Sequence, residues 1–249
     1  MTDAELMELA TRNVAHRAQL KSRLFAKSAA CDRGFGASTR DREEIAAIVA
    51  KLTALTPIKI PTRGLFPYRA TEGDEAHSTV VAPVEGVWQM VYTTAFDVLS
   101  LAASPFTLLQ GVYQVISADG ESINVIDLAP RIQAILPVQL QSEKGLTSTF
   151  RLKVSTAAKA RTDTRIGLTF KKVAGSTAKF LNFDVSKFPK FGVSFPTSTK
   201  IGAGADASDT DPSFFDVLYL DDDCLIIDQN APGGIFVSIR SDLPKSSFM

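Results

Sequence analysis

Cysteine and histidine are scarce in this chain: Cys31, Cys224, His16 and His77 are all it has in 249 residues. Two cysteines cannot staple a fold, and so few scattered ligands match no zinc spacing. The composition therefore suggests a reducing compartment and gives no reason to expect a metal or a cofactor. Nowhere does an apolar run reach the roughly 18 residues that a membrane-crossing helix needs. No secretory apolar region opens the chain. Residues 1–30 carry Asp3, Glu5 and Glu8, whereas transit peptides are poor in acids, so no transit peptide is expected here. Charge of one sign is also lacking: 27 basic residues face 27 acidic ones, for a net of zero. That balance argues against a bulk polyanion binder, so nucleic acid is not an expected partner.

What is present is enough to build a core, since 45% of the residues are hydrophobic. The zero conceals blocks. Residues 1–63 carry a net of +4, residues 64–140 a net of −6, residues 141–200 a net of +9 and residues 201–249 a net of −7. Either the blocks neutralise one another in the fold, or one face is strongly basic.

Periodicity divides the chain in two. In residues 1–61 the spacing is helical. Acids precede bases in the first segment, complementing a helix dipole, but Leu6, Leu9, Ala10, Asn13, Arg17, Leu20 and Leu24 form a ragged stripe that predicts loose packing. Gly34 and Gly36 end this helix. Ser38 with Asp41 reads as a capping box opening a second helix, whose face is Ile45, Ile48, Val49 and Leu52. Pro57 and Pro61 stop it. Residues 62–83 read as a surface linker. From residue 84 to 249 the period is two, with strands expected near 86–94, 108–117, 121–128, 131–140, 146–155, 163–173, 178–185, 214–220, 223–229 and 234–240. Short strands at this spacing, without βαβ alternation, predict an antiparallel sandwich or barrel. Residues 196–213 read as the longest loop.

Gly86-Val87-Trp88 opens the first strand, and Gly-x-Trp in that place is the short signature of lipocalin-type barrels. Trp is large enough to plug one barrel end, and Gly allows close approach of the chain. Arg240, near the end of the last strand, is placed to cover the indole by a cation–π contact. A generic core Trp is the alternative. Strict alternation puts Trp88, Met90 and Tyr92 on one face, and with Tyr113 these are the candidate lining or plug of a ligand site. Three other patterns are set aside. Gly202-Ala203-Gly204 is followed by Asp206 and Asp209, not by a helix. The acidic runs at 206–211 and 221–223 lack the EF-hand spacing. No nucleophile and base stand together, so no catalytic residues are assigned. Of 16 Phe, nine lie between 150 and 215, interleaved with Lys. Lys187, Phe188, Lys190 and Phe191 fit an anionic membrane surface. Bases of a single strand stacked on the rings, or a barrel wall with Phe inward, are the competing readings.

Several segments jointly resemble the plastid lipid-associated proteins, also called fibrillins or plastoglobulins. Arg33-Gly34-Phe35 before a helix and Leu55-Thr56-Pro57 after it are similar to that family's N-terminal pattern. So are Gly86-Val87-Trp88-Gln89-Met90-Val91-Tyr92-Thr93-Thr94, Gly111-Val112-Tyr113-Gln114, Leu218-Tyr219-Leu220-Asp221-Asp222-Asp223 and Gly233-Gly234-Ile235-Phe236-Val237, in family order. Ile226, Gln229 and Asn230 depart from the bases and glycine usual after the acidic turn, and Thr56 from an Asn. The resemblance implies a mainly β, lipocalin-like antiparallel barrel with N-terminal α-helices. It also implies a plastid setting or its cyanobacterial equivalent, at the surface of thylakoids or plastoglobules or in the stroma. The implied partners are apolar molecules such as prenyl quinones, carotenoids or acyl lipids, bound without a catalytic residue set. A second reading makes the cup the site of a reaction on an isoprenoid, with Asp127, Tyr92 and Tyr113 as its candidate groups.

Overall fold

The computed structural model describes residues 2–65, 82–131, 134, 149–180, 183–184, 191–194, 213–230 and 233–248. Two helices come first, α1 (Asp3–Ala30) and α2 (Thr39–Ala54). Both begin in capping boxes, Thr2 with Glu5 and Ser38 with Asp41, which satisfy backbone N–H groups that the first turn leaves without partners. Between them, Arg33 and Gly34 adopt left-handed φ of 59° and 102°. A side chain on Gly34 would run into the carbonyl oxygen of Thr93 on the barrel wall, so only glycine lets this turn seat against the sheet.

Eight strands then close a ring: β1 (Gly86–Thr93), β2 (Thr107–Ile116), β3 (Glu121–Pro130), β4 (Thr149–Ala160), β5 (Arg165–Phe180), β8 (Phe214–Leu220), β9 (Cys224–Gln229) and β10 (Gly234–Arg240). Each pairs antiparallel with the next, and β10 returns to β1. Two short strands, β6 (Phe183–Asp184) and β7 (Phe191–Ser194), pair with the far half of β5. The closing ladder is brief: Arg165–Gly167 of β5 lies opposite Phe214–Asp216 of β8. There Arg165 makes a bidentate bridge to Asp216, 2.8 Å on each arm, and stacks on Phe214 at 4.0 Å.

The fold is thus the expected mainly β, lipocalin-like barrel with N-terminal helices. Most of the expected strands recur with shifted ends, but the one expected at 178–185 does not: β5 runs on to Phe180, and Phe183–Asp184 pair back antiparallel on Phe180 and Lys179. Arg131 and Ala134 are not in strand, and the rest of the strand expected at 131–140 lies outside the described residues. A short helix, α3 (Phe96–Ala102), joins the upper ends of β1 and β2, a seven-residue element that periodicity does not predict. Most of the expected surface linker, residues 66–81, lies outside the described residues; at its ends Thr62, Leu65 and Ala82 are buried, and with Val84 they pack at the lower end of the barrel.

Among the described residues, the buried apolar side chains gather in four clusters, three of them spread along the barrel wall. Trp88, Ile116, Ala158, Ile166, Leu168, Phe215, Val217, Leu225 and Ile227 come from strands all round the ring and meet in one cluster, which is possible only inside the barrel. A second cluster lies outside, where Leu20 and Leu24 of α1 and Ile45, Ile48, Val49 and Leu52 of α2 cover Tyr92, Tyr219, Cys224, Ile226 and Val237. Each such aliphatic side chain contributes roughly 1.5–3 kcal/mol by leaving water. Only the second half of α1 takes part; Leu6 and Met7 remain 45% and 73% exposed. The third cluster lies on the outer face of β1–β3, where Val87, Val115, Ile123 and Val125 are sealed by Phe248.

The charge blocks neutralise one another at specific pairs. Arg151 of the +9 block holds Asp127 of the −6 block, with both of its contacts at 2.7 Å. Arg165 holds Asp216, and Lys21 of α1 reaches Asp221 and Asp223 in the acidic turn.

Candidate functional site

The Gly-x-Trp signature forms the barrel floor. Trp88 is fully buried, and its Nε1 donates to the Val84 carbonyl at 2.9 Å. The guanidinium of Arg240 lies 4.2 Å from the indole ring, the cation–π contact expected from the sequence. It is anchored by donating to the carbonyls of Asp222 at 2.6 Å and Glu85 at 3.0 Å. Gly86 sits at φ 153°, and a side chain there would collide with that guanidinium. One end of the barrel is therefore shut by an aromatic plug, a capping cation and the chain segments at 58–65 and 82–84.

Above the floor the interior wall differs from side to side. Along β8–β10 it is filled by Phe215, Val217, Leu225 and Ile227. Along β2–β5 the inward side chains, among them Gln114, Asn124, Ile126, Leu152, Val154 and Phe170, are only half-buried. Their direction follows from register and alternation. Gln114 pairs with Trp88, and its neighbours Tyr113 and Val115 pack on the outer face beside Phe248. Asn124 likewise lies between the outward Ile123 and Val125. Met90, with Val112, Ala95 and Val98, joins wall to α3 over the upper end. Phe96 opens that helix and Phe106 follows it, and they are 82% and 81% exposed. Arg131 braces the second of them, donating to the carbonyls of Ser104 at 2.8 Å and Thr107 at 3.2 Å.

The structure separates the sequence-predicted residues. Trp88 and Met90 lie in interior clusters, with Arg240 against Trp88. Tyr92 does not share their face. A register shift between Met90 and Tyr92 marks a β-bulge, and one inserted residue sends the following side chains to the opposite face. Tyr92 consequently packs under α1 and α2, where burial raises its pKa. Tyr113 also points outward, its ring centroid 4.9 Å from that of Phe248. Burial, with the nearby Asp127, raises its pKa as well. Asp127 is on the same outer face, clamped by Arg151, which also donates to the Ser247 carbonyl at 2.7 Å. The three groups named for a reaction in the cup therefore do not meet in it. Lys187, Phe188 and Lys190 lie outside the described residues; Phe191 opens β7, opposite Gly175 of β5.

Two features escaped the sequence reading. Arg33, beside the obligatory Gly34, donates to the carbonyls of Leu109 at 2.8 Å and Gln110 at 3.2 Å, beside a register shift in β2. The acidic turn is a lock: Asp221 accepts from Lys21 at 2.8 Å and from the Cys224 N–H at 2.9 Å, and is bonded by the Tyr219 hydroxyl. Burial opposes ionisation of Asp221, but contacts with Asp223, Lys21 and Tyr219 outweigh it and hold the carboxyl at about 2. Burial and that carboxylate together raise the Tyr219 pKa. Ile226, where the family usually has a base, is wholly buried against the helices.

A closed antiparallel ring of eight strands in chain order, plugged by a Trp under an Arg, defines a lipocalin-like cup. No curated protein matches the chain significantly. The family model PAP_fibrillin matches residues 70–238, a span that holds Trp88 and nearly all of the eight strands of that cup. The chain belongs to the PAP/fibrillin family, which is plastid-associated, lipid-associated and generally non-catalytic.

Proposed function

We propose that the protein is a non-catalytic binder of an apolar small molecule, an isoprenoid or acyl lipid held in the barrel, and that it works at a lipid surface in the plastid, on thylakoids or plastoglobules. The observation that carries this reading is the half-buried interior face of β2–β5 above a sealed floor. Barrels of about eight strands have room for one small ligand, and removing its apolar area from water drives binding. The ligand-contacting residues of this reading are Trp88 and Met90, with Arg240 bracing the floor. Phe96 and Phe106, exposed at the mouth, supply rings that enter a headgroup layer, and the Lys187–Phe191 run adds basic and aromatic contacts. Organic extraction of protein purified from its native source should release about one apolar molecule per chain; an empty extract overturns the cup. Flotation with vesicles of phosphatidylcholine containing one third phosphatidylglycerol should carry the protein upward. The double variant Phe96→Ser/Phe106→Ser should lose most of that flotation. Wild-type protein that stays at the bottom at low salt overturns the surface role.

A further inference from the structure

Two carboxamides stand side by side on the interior wall, immediately above the aromatic floor. Gln114 pairs with Trp88 on one side and with Asn124 on the other, so the row runs Trp88, Gln114, Asn124, Val154 across β1–β4. Neither amide makes a side-chain hydrogen bond among the described residues, and both are half-buried. One step below Asn124 on the same face, Ser122 is fully buried and its Oγ has no hydrogen-bond partner. Buried polar groups ordinarily have partners, so a short polar strip inside an apolar wall implies something for it to bond. The surrounding inward residues, Val112, Ile116, Ile126, Leu152 and Val154, are uncharged. Among the described residues, the cation at this floor is Arg240, and it is spent on the indole and on two backbone carbonyls.

We infer that Gln114 and Asn124 are the polar subsite of the cup, and that they receive a neutral carbonyl or hydroxyl group at the deep end of an otherwise apolar ligand. The inference rests on the reading of the barrel as a ligand cup and adds to it the chemistry and orientation of the bound molecule. An amide both donates and accepts, so either a carbonyl or a hydroxyl is satisfied. A carboxylate is excluded: it would be buried without a cation, at a cost that neutral groups avoid. The apolar remainder of the ligand extends upward past Met90, Ile126 and Leu152 towards α3 and the mouth.

Trp88 is the sole tryptophan, and it lies beside the subsite, so its emission reports occupancy directly. Three probes are titrated against the full chain: decylbenzoquinone, decanoate and anthracene. The quinone should quench Trp88 saturably and bind about tenfold or more tightly than decanoate. Gln114→Leu/Asn124→Leu should weaken the quinone by about tenfold while leaving anthracene, which has no polar atom, bound as before. Asn124→Ala is the second variant, and an unchanged Trp88 emission maximum in the free protein establishes that each variant is folded. Undiminished quinone binding by the double variant overturns the subsite and leaves the cup intact. Decanoate bound as tightly as the quinone overturns the neutral-ligand assignment. Equal loss of anthracene and quinone in both variants overturns the amides as specific contacts. If no probe binds wild type, the cup itself is refuted and the subsite with it.

Discussion

Replacing Asp221 by Asn isolates the lock between α1 and the barrel. The substitution keeps the shape of the side chain and removes its charge, so it resembles the protonated acid. The carboxyl titrates at about 2 in the folded protein against an ordinary 3.8, a gap of nearly two pH units. At about 1.4 kcal/mol per unit, the ionised form stabilises the fold by roughly 2–3 kcal/mol relative to the protonated form. Because the folded value is depressed, that contribution is complete above the unfolded value and disappears as the pH falls from about 4 towards 2. Asp221→Asn should therefore lose roughly 2–3 kcal/mol at pH 7, about 5–10 °C in Tm for a chain of this size, and almost nothing at pH 2. Urea unfolding followed by Trp88 emission, at both pH values, measures the difference. A Lys21→Met variant should give a partial loss at pH 7, and its effect should not add to that of Asp221→Asn. Equal stability of wild type and Asp221→Asn at pH 7 would refute the lock; so would a deficit that persists unchanged at pH 2.

Three more outcomes follow from the packing. Gly34→Ala should destabilise by more than about 2 kcal/mol in thermal unfolding, since the new methyl meets the Thr93 carbonyl and the residue must keep a left-handed φ. Arg151→Leu should cost about 3–5 kcal/mol by leaving Asp127 buried and unpaired, and the double variant Asp127→Leu/Arg151→Leu should recover much of it in the same denaturation assay. Arg240→Ala should shift the Trp88 emission maximum to longer wavelength by admitting water at the floor, and Gly86→Ala should produce the same shift by pushing the guanidinium off the ring.

Much of this architecture was legible because it rests on local rules. Ser38 and Asp41 announce α2 through a capping box that needs no tertiary partner, and its four apolar positions all bury. The strand period found most of the wall, and Gly86-Val87-Trp88 with Arg240 located the floor and its cation. What failed was whatever depends on one residue of register or on a partner distant in sequence. Unbroken alternation places Tyr92 in the cup, whereas the bulge after Met90 turns it to the helices. Tyr113 was a large aromatic beside a family-like motif, but its destination was set by Phe248, more than a hundred residues away. Gln114 and Asn124 carry no assignment from the sequence; only the pairing with Trp88 reveals that they point inward.

The short ladder between β5 and β8 has a mechanical consequence. Every other joint in the ring is a longer ladder, whereas this one is held by Arg165–Gly167 against Phe214–Asp216 and riveted by one bidentate bridge. Strain applied to the cylinder concentrates at the weakest joint, so the circumference changes there first. Amide hydrogens of those six residues exchange before those of β2–β4, because opening the joint leaves the remaining ladders intact. A wall with a single short seam can widen for a bulky guest and close again without unfolding. If the barrel holds a ligand as proposed, its residence time should follow how often Arg165 lets go of Asp216, separately from how well the interior fits the guest.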